Sequence, residues 1–232
     1  MNNNLLKIKI YQRLNKLASF DYDNIECWQI AEAFNKAQRE WYRRQVHGLN
    51  ARKEGSEQST GLIDDLQRFI TVEELNGENI GVYFKSDVIP DQYAYFIKIS
   101  AYAAKGECKG RPLTTYLAEE ANSDVLMGDP YKGPSFEWSE TYATMDTDRF
   151  KIYTNKDFIV ERATLSYYRK PLDVTFDGCL NPATGVVNAE QTCEFKEDIV
   201  ELIIDEAVAI LAGDIESFNQ YQRAMTNAQK SN

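Results

Sequence analysis

Any chemistry in this chain must come from a short inventory. There is one histidine, His47, and four cysteines, Cys27, Cys108, Cys179 and Cys193, separated by 81, 71 and 14 positions. No CxxC pair, HExxH helix or paired His/Cys cluster can be assembled from that set, which removes the usual zinc sites and histidine-based catalysis. The four thiols read as reduced cysteines of a cytosolic protein. Cys179 and Cys193 are the pair that the 178–193 loop could bring together. Asp146 and Asp148 flank Thr147 and would set two carboxylates side by side. A metal or glycosidase pair also needs a cleft and further partners, and the plainer reading is a solvated loop before a strand. Arg39, Arg43 and Arg44 form the one basic cluster, suited to a phosphate or an acidic partner, or simply a solvated helix face. His47 follows this Arg-rich helix end and reads as a surface residue compatible with the helix dipole. No GxGxxG, GxxxxGK[ST], GxSxG or DxDxDG motif occurs. No catalytic residue, cofactor site or metal ligand is therefore assigned, and no cofactor is expected.

The elements that would position such residues follow from apolar spacing. Leu6, Ile10, Leu14 and Leu17 predict a helix over 5–19. After a polar break, Ile25, Trp28, Ala31, Phe34, Ala37 and Trp41 predict a longer one over 25–47, with both tryptophans in the core. Residues 48–60 read as an exposed loop, and Leu62, Ile63, Leu66 and Phe69 as a short helix. The period then falls to two. Ile70 and Val72, a turn at Asn76-Gly77, and Ile80, Val82 and Phe84 predict a β-hairpin. The 93–101 segment is apolar at nearly every position and reads as a strand buried on both faces or a short helix, the extended form being favoured. Cys108–Pro112 reads as a loop, and Leu113, Leu117, Ala121 and Val125 as a helix. The Gly/Pro-rich stretch 127–148, with Tyr131, Phe136, Trp138 and Tyr142, reads as an ordered arm. Phe150 and Ile152, a turn at Asn155–Asp157, and Ile159–Tyr168 give a second β pair. Phe195, Ile199, Leu202, Ile203, Ala207, Ile210 and Leu211 give the strongest helix. Ile215, Phe218, Tyr221 and Met225 continue its apolar spacing into a tail that should dock on a partner.

This order predicts an α+β fold: N-terminal helices and a long C-terminal helix packed with a central antiparallel β region. We expect a helical part at 1–70, a β-rich part at 71–176 with an arm or loop at about 104–148, and a loop and helix at 177–232, together one integrated domain. Length and composition agree. The chain has 232 residues, 43% hydrophobic and 27% charged, as in ordinary globular proteins. With 26 basic against 36 acidic residues, the net charge is -10, which argues against wrapping a phosphate backbone. Lys7 and Lys9 interrupt the apolar start, so no signal-peptide core is expected. The longest uncharged stretch of the C-terminal apolar region, Ala207–Gly213, falls far short of the roughly 18 residues of a membrane span. Fourteen tyrosines against eleven phenylalanines supply large side chains with polar tips, a mix that suits protein interfaces.

Several segments resemble the head-to-tail connector (adaptor or tail-ring) proteins of tailed bacteriophages, most of all those of short-tailed crAss-like phages. They are AEAFNKAQREWYRR at 31–44, SDVIPDQYAYF at 86–96, GDPYKGPSFEW at 128–138, RFKIYTNKDFIVERATLSYYRKPLDV at 149–174 and CEFKEDIVELIIDEAVAILAGDIESFNQYQ at 193–222. The resemblance implies a non-enzymatic virion protein, assembled in the host cytoplasm. It would form a dodecameric ring of identical copies between the portal protein and other tail or ring proteins. DNA would pass through the channel without specific binding, and no membrane would be involved. The expected contact residues are Ile215, Phe218, Tyr221 and Met225 in the tail and Tyr131, Phe136 and Trp138 in the arm. Two other readings stay open: a carboxylate-based phage hydrolase around Asp146 and Asp148, and a carbohydrate- or protein-binding module using the aromatic arm.

Overall fold

Apolar residues at helical spacing build one unit of the molecule, and apolar residues at strand spacing build the other. The computed structural model describes residues 1–14, 25–47, 65–180, 182, 185–187, 189–214 and 225–226. Contacts divide the chain into Met1–Gln67 with Pro171–Asn232, and Arg68–Lys170. The fold is α+β.

In the helical unit, α1 (Asn3–Leu14) buries Leu6, Ile10 and Leu14, the expected stripe. Its predicted continuation to residue 19, like the 48–60 loop and residues 62–64, lies outside the described residues; from residue 65 to Phe69 the chain is helical as expected, with Leu66 and Phe69 buried. Helix α2 (Cys27–His47) buries Ile30, Ala33, Phe34, Ala37, Trp41 and Tyr42. Trp28 stands at the edge of that stripe and is only half-buried, so just one of the two tryptophans belongs to the core. The C-terminal helix, α4, follows the short α3 (Ser123–Gly128) in the chain and spans Glu197–Asp214. It buries Ile199, Val200, Ile203, Ile204, Ala207, Val208 and Leu211, on more than one face, because it packs against both α1 and α2. Glu197 and Asp198 occupy its first turn, where carboxylates favour the helix dipole. Phe195, just ahead of it, meets Trp41 edge-on at 5.2 Å between ring centroids. Arg13 bridges α1 to α4, pairing with Glu201 and, at 2.6 Å, with Asp205.

Residues 171–176 return from the β unit in extended form and are pinned to α2 by buried amides. Asn35 donates to the Val174 carbonyl at 3.0 Å and accepts from the Val174 N–H at 2.7 Å. Gln38 donates to the Leu172 carbonyl at 2.9 Å. A disulfide joins Cys27 to Cys179, 152 positions away, with Cα atoms 5.9 Å apart. This overturns the expectation of four reduced thiols, and the partner of Cys179 is Cys27, not the nearer Cys193. Packing of 171–180 across α2 brings together cysteines that no spacing rule connects. Cys193 is instead a buried free thiol, its pKa raised by burial, and Cys108 is an exposed one.

The β unit is one eight-stranded sheet. Its strands are β1 (Ile70–Leu75), β2 (Gly77–Ile80), β3 (Tyr83–Ser86), β4 (Tyr93–Lys105), β5 (Cys108–Leu117), β6 (Glu140–Asp146), β7 (Arg149–Tyr153) and β8 (Ile159–Arg169). Their order is β1-β8-β4-β5-β6-β7-β3-β2. Only Asn76 separates β1 from β2, yet these strands stand at the two ends of the order, so the sheet must curl until its ends meet. The Asn79 side chain completes the seam. Its amide donates to the Val160 carbonyl at 2.9 Å and its oxygen accepts from the Val160 N–H at 3.0 Å, imitating a ladder pair. The curled sheet encloses Ile99, Ala101, Phe150, Ile152, Ala163, Leu165 and Tyr167.

Three predicted elements are corrected here. The hairpin turn is Gly81-Val82, joining β2 to β3, with Gly81 at φ +61°; β1 pairs with β8 instead. Gly77 serves close approach, since a Cβ there would lie 2.2 Å from the Lys85 carbonyl oxygen. The loop at 108–112 and the first part of the helix at 113–125 are strand β5; from Glu120 on the chain is helical as expected, a 3-10 turn followed by the helix Ser123–Gly128. A spacing of four satisfies a strand face as well as a helix face, because four is a multiple of two. Finally, the supposed arm at 104–148 holds β6 and the β4–β5 turn, leaving only 118–139 as a crossover. The sheet is antiparallel except for β5 with β6, the pair that this crossover joins.

Candidate functional site

The crossover is anchored at its base and aromatic at its tip. It carries the short helix α3 (Ser123–Gly128), under which Tyr142 is wholly buried, donating its hydroxyl to the Ser123 carbonyl at 2.8 Å. Tyr142 stacks on Tyr153 with centroids 4.5 Å apart, and burial holds its phenol far above the ordinary pKa. Beyond α3, the Asp129 carboxylate accepts the backbone N–H groups of Tyr131 at 2.8 Å and Lys132 at 3.3 Å. The Tyr116 hydroxyl donates to the Lys132 carbonyl at 2.8 Å, tying this turn to β5. Gly133 closes it: a Cβ there would lie 2.7 Å from the Asp129 carbonyl oxygen.

The next turn is fixed as firmly. Ser135 and Glu140 form an isolated antiparallel bridge, with N···O distances of 2.9 and 3.2 Å. Phe136, between them, is buried on Phe158, with the Arg111 guanidinium 5.0 Å above its ring. Arg111 also donates to Ser139 Oγ at 2.6 Å and to the Glu137 carbonyl at 2.8 Å. The Asp157 carboxylate accepts the Phe136 N–H at 2.9 Å and Lys105 Nζ at 2.6 Å. Burial works against that charge, but the two donors outweigh it and hold the Asp157 carboxyl below its ordinary pKa. Trp138 rides on this turn 77% exposed, and Tyr131 is 90% exposed.

The sequence-predicted arm residues thus divide. Tyr131 and Trp138 face outward, while Phe136 and Tyr142 are structural anchors. Of the predicted tail, Ile215, Phe218 and Tyr221 lie outside the described residues, and Met225 is partly covered. The Asp146 and Asp148 pair sits on the β6–β7 hairpin, both side chains about half exposed. Lys151 lies 3.0 Å from Asp146 and 2.8 Å from Glu120, and its hydrogen bond keeps the Asp146 carboxyl ionised and below its usual pKa. An acid so held is a poor proton donor. Arg39 pairs with Asp173 at 2.6 Å and Arg44 pairs with Glu206, so these two members of the basic cluster are matched within the helical unit. Among the described residues, no group of three or more His, Cys, Asp or Glu is placed to hold a metal ion. No described helix is long and apolar enough to cross a membrane.

One feature went unseen in the sequence. A cavity of about 380 Å³ opens between α2 and the 173–182 segment, lined among others by Trp28, Arg39, Asp173, Phe176, Cys179 and Leu180. Its two walls lie far apart in the chain, so the nearest signal was Trp28, whose position at the edge of the apolar stripe fits a partly open site as well as a core. No protein-family model and no curated protein matches the chain.

Proposed function

We propose that the chain is a structural subunit of a tailed-phage head-to-tail connector, working by shape and contact. In this reading identical copies associate head to tail, one surface of a copy meeting a different surface of the next, the interface type that closes into rings. The ring joins the portal to the tail, and the net negative charge keeps the passing duplex from sticking. The observation that carries the proposal is the 129–139 segment. Two large aromatics are held in water on backbone that side chains from β5 and the 157 turn fix in place. Preordered aromatics of this kind lose little entropy on docking and serve as interface anchors. The sequence segments that resemble connector proteins support the same reading.

The test is direct. Purified particles should contain the chain at fixed stoichiometry, and images of the neck should show it in a ring. A Tyr131→Ser/Trp138→Ser double variant should fold normally and fail to enter particles. Absence of the chain from particles, or turnover of a glycan or peptide substrate that disappears in Asp148→Asn, would refute the proposal.

A further inference from the structure

The 171–180 segment is attached to α2 in two ways. Its root is held by the Asn35 pair on Val174, the Gln38 bond to Leu172 and the Arg39–Asp173 ion pair, and from α1 by the Asn3 amide, which donates to the Thr175 carbonyl. Its far end turns at Phe176–Cys179, where the Cys179 N–H donates to the Phe176 carbonyl at 3.2 Å and Gly178 takes φ +70°. There the attachment to α2 that the structure describes is the disulfide to Cys27. Leu180 and Pro182 wall the cavity just beyond; Leu180 pairs with Val187, outside α2, so the disulfide is the described bond that ties this turn to the helix.

We infer that the Cys27–Cys179 disulfide is a reducible clasp that holds the outer wall of the α2 cavity in place and releases it when a thiol reductant arrives. Cys179 is 5% exposed and lines the cavity, which is the route for a small thiolate toward its sulfur. Attack there forms a mixed disulfide on Cys179 and expels Cys27 as a thiolate. Cys27 is the first residue of α2, where the helix N-terminus favours a thiolate and makes it a good leaving group. A second thiol then resolves the mixed disulfide. The net change is one protein disulfide and two thiols giving two protein thiols and one small disulfide, so electrons and protons balance. The amide clamps take no part and keep 171–176 in place.

The experiment is hydrogen exchange on the full chain in air-oxidised buffer and after dithiothreitol, with thiols counted by alkylation and mass spectrometry. A Cys108→Ala variant should behave as wild type, showing that the exposed thiol is a bystander; Cys193, which donates to the Gln38 side chain, is left in place. Oxidised protein should carry two free thiols and reduced protein four. Reduction, or Cys179→Ser, should abolish protection at 177–180 while 172–176 keeps its protection. Free Cys27 and Cys179 in oxidised protein would overturn the inference, as would unchanged protection at 177–180. So would loss of protection across 172–176 together with 177–180, which would make the bond a staple of the whole unit. Neither result depends on whether particles contain the chain.

Discussion

Between Arg68 and Lys170 the chain holds itself by ladder hydrogen bonds around side chains with no exposure at all, among them Phe150, Ile152, Leu165 and Tyr167. In the helical unit the returning segment has two isolated bridges among its described residues, Thr175–Gln191 and Leu180–Val187, and is otherwise held at single points by amide side chains, the Arg39–Asp173 ion pair and one disulfide. Loss of a core atom is felt throughout a closely packed sheet, since its neighbours cannot all relax. A segment tethered at a few points can come loose at one of them. The contrast teaches that the sheet is built to present an unmoving surface, whereas the cavity wall is built to be releasable.

The contrast can be broken at its strongest point first. Phe150→Ala should cost about 3–5 kcal/mol in denaturant unfolding of the β unit, the usual cost of a buried phenylalanine. A value under about 1 kcal/mol would mean that the sheet interior collapses easily. Cys27→Ser should lower the stability of the helical unit by roughly 2–4 kcal/mol through release of a long loop in the unfolded chain, and leave exchange in β4 and β8 unchanged. Asn35→Ala should cost about 1–3 kcal/mol, since it leaves the buried Val174 amide unpaired. Its signature is loss of protection at Val174 with the disulfide intact, the mirror image of the reduced protein.

Acid sharpens the comparison further. Burial, helped by Glu40 and opposed by Arg44, pushes the Glu206 carboxyl up to about 7 from an ordinary 4.5. Between those values the folded chain holds a proton that the unfolded chain has released. This contribution is therefore fully present below pH 4.5 and is lost as pH rises through 7. Glu206→Gln should remove about 1–3 kcal/mol of that pH dependence, seen as a flatter plot of melting temperature against pH. The smallest expected effect on stability is that of Trp138→Ser, within about 0.5 kcal/mol because the side chain is exposed. A large destabilisation there would show that the indole supports its turn.

Much of the frame was legible because local pattern and final environment agree. The Leu6, Ile10, Leu14 stripe, the apolar run of α4, the alternation of Phe150 and Ile152 and the turn at Asn155–Asp157 each answer to one period or one turn rule. Legibility failed where a pattern fitted two structures. Leu113 and Leu117 share a face of either a helix or a strand, and Asn76-Gly77 has the composition of a turn whether or not the chain turns there. It failed again where partners are remote, as with Trp28 and the cavity. For the candidate surface, the arm aromatics could be picked out by type, but not sorted into buried and exposed.

Composition and periodicity by themselves determined the α+β class, the strongest helices and the later strands, because those features depend on neighbours a few positions away. Tertiary structure alone decided that β1 and β2 part to opposite ends of a curled sheet, that Phe136 is enclosed while Trp138 meets water, and that Cys27 finds Cys179. Each of those outcomes turns on contacts between residues tens to more than a hundred positions apart. Such contacts exist only once the whole chain has chosen one packing, and no local spacing encodes them.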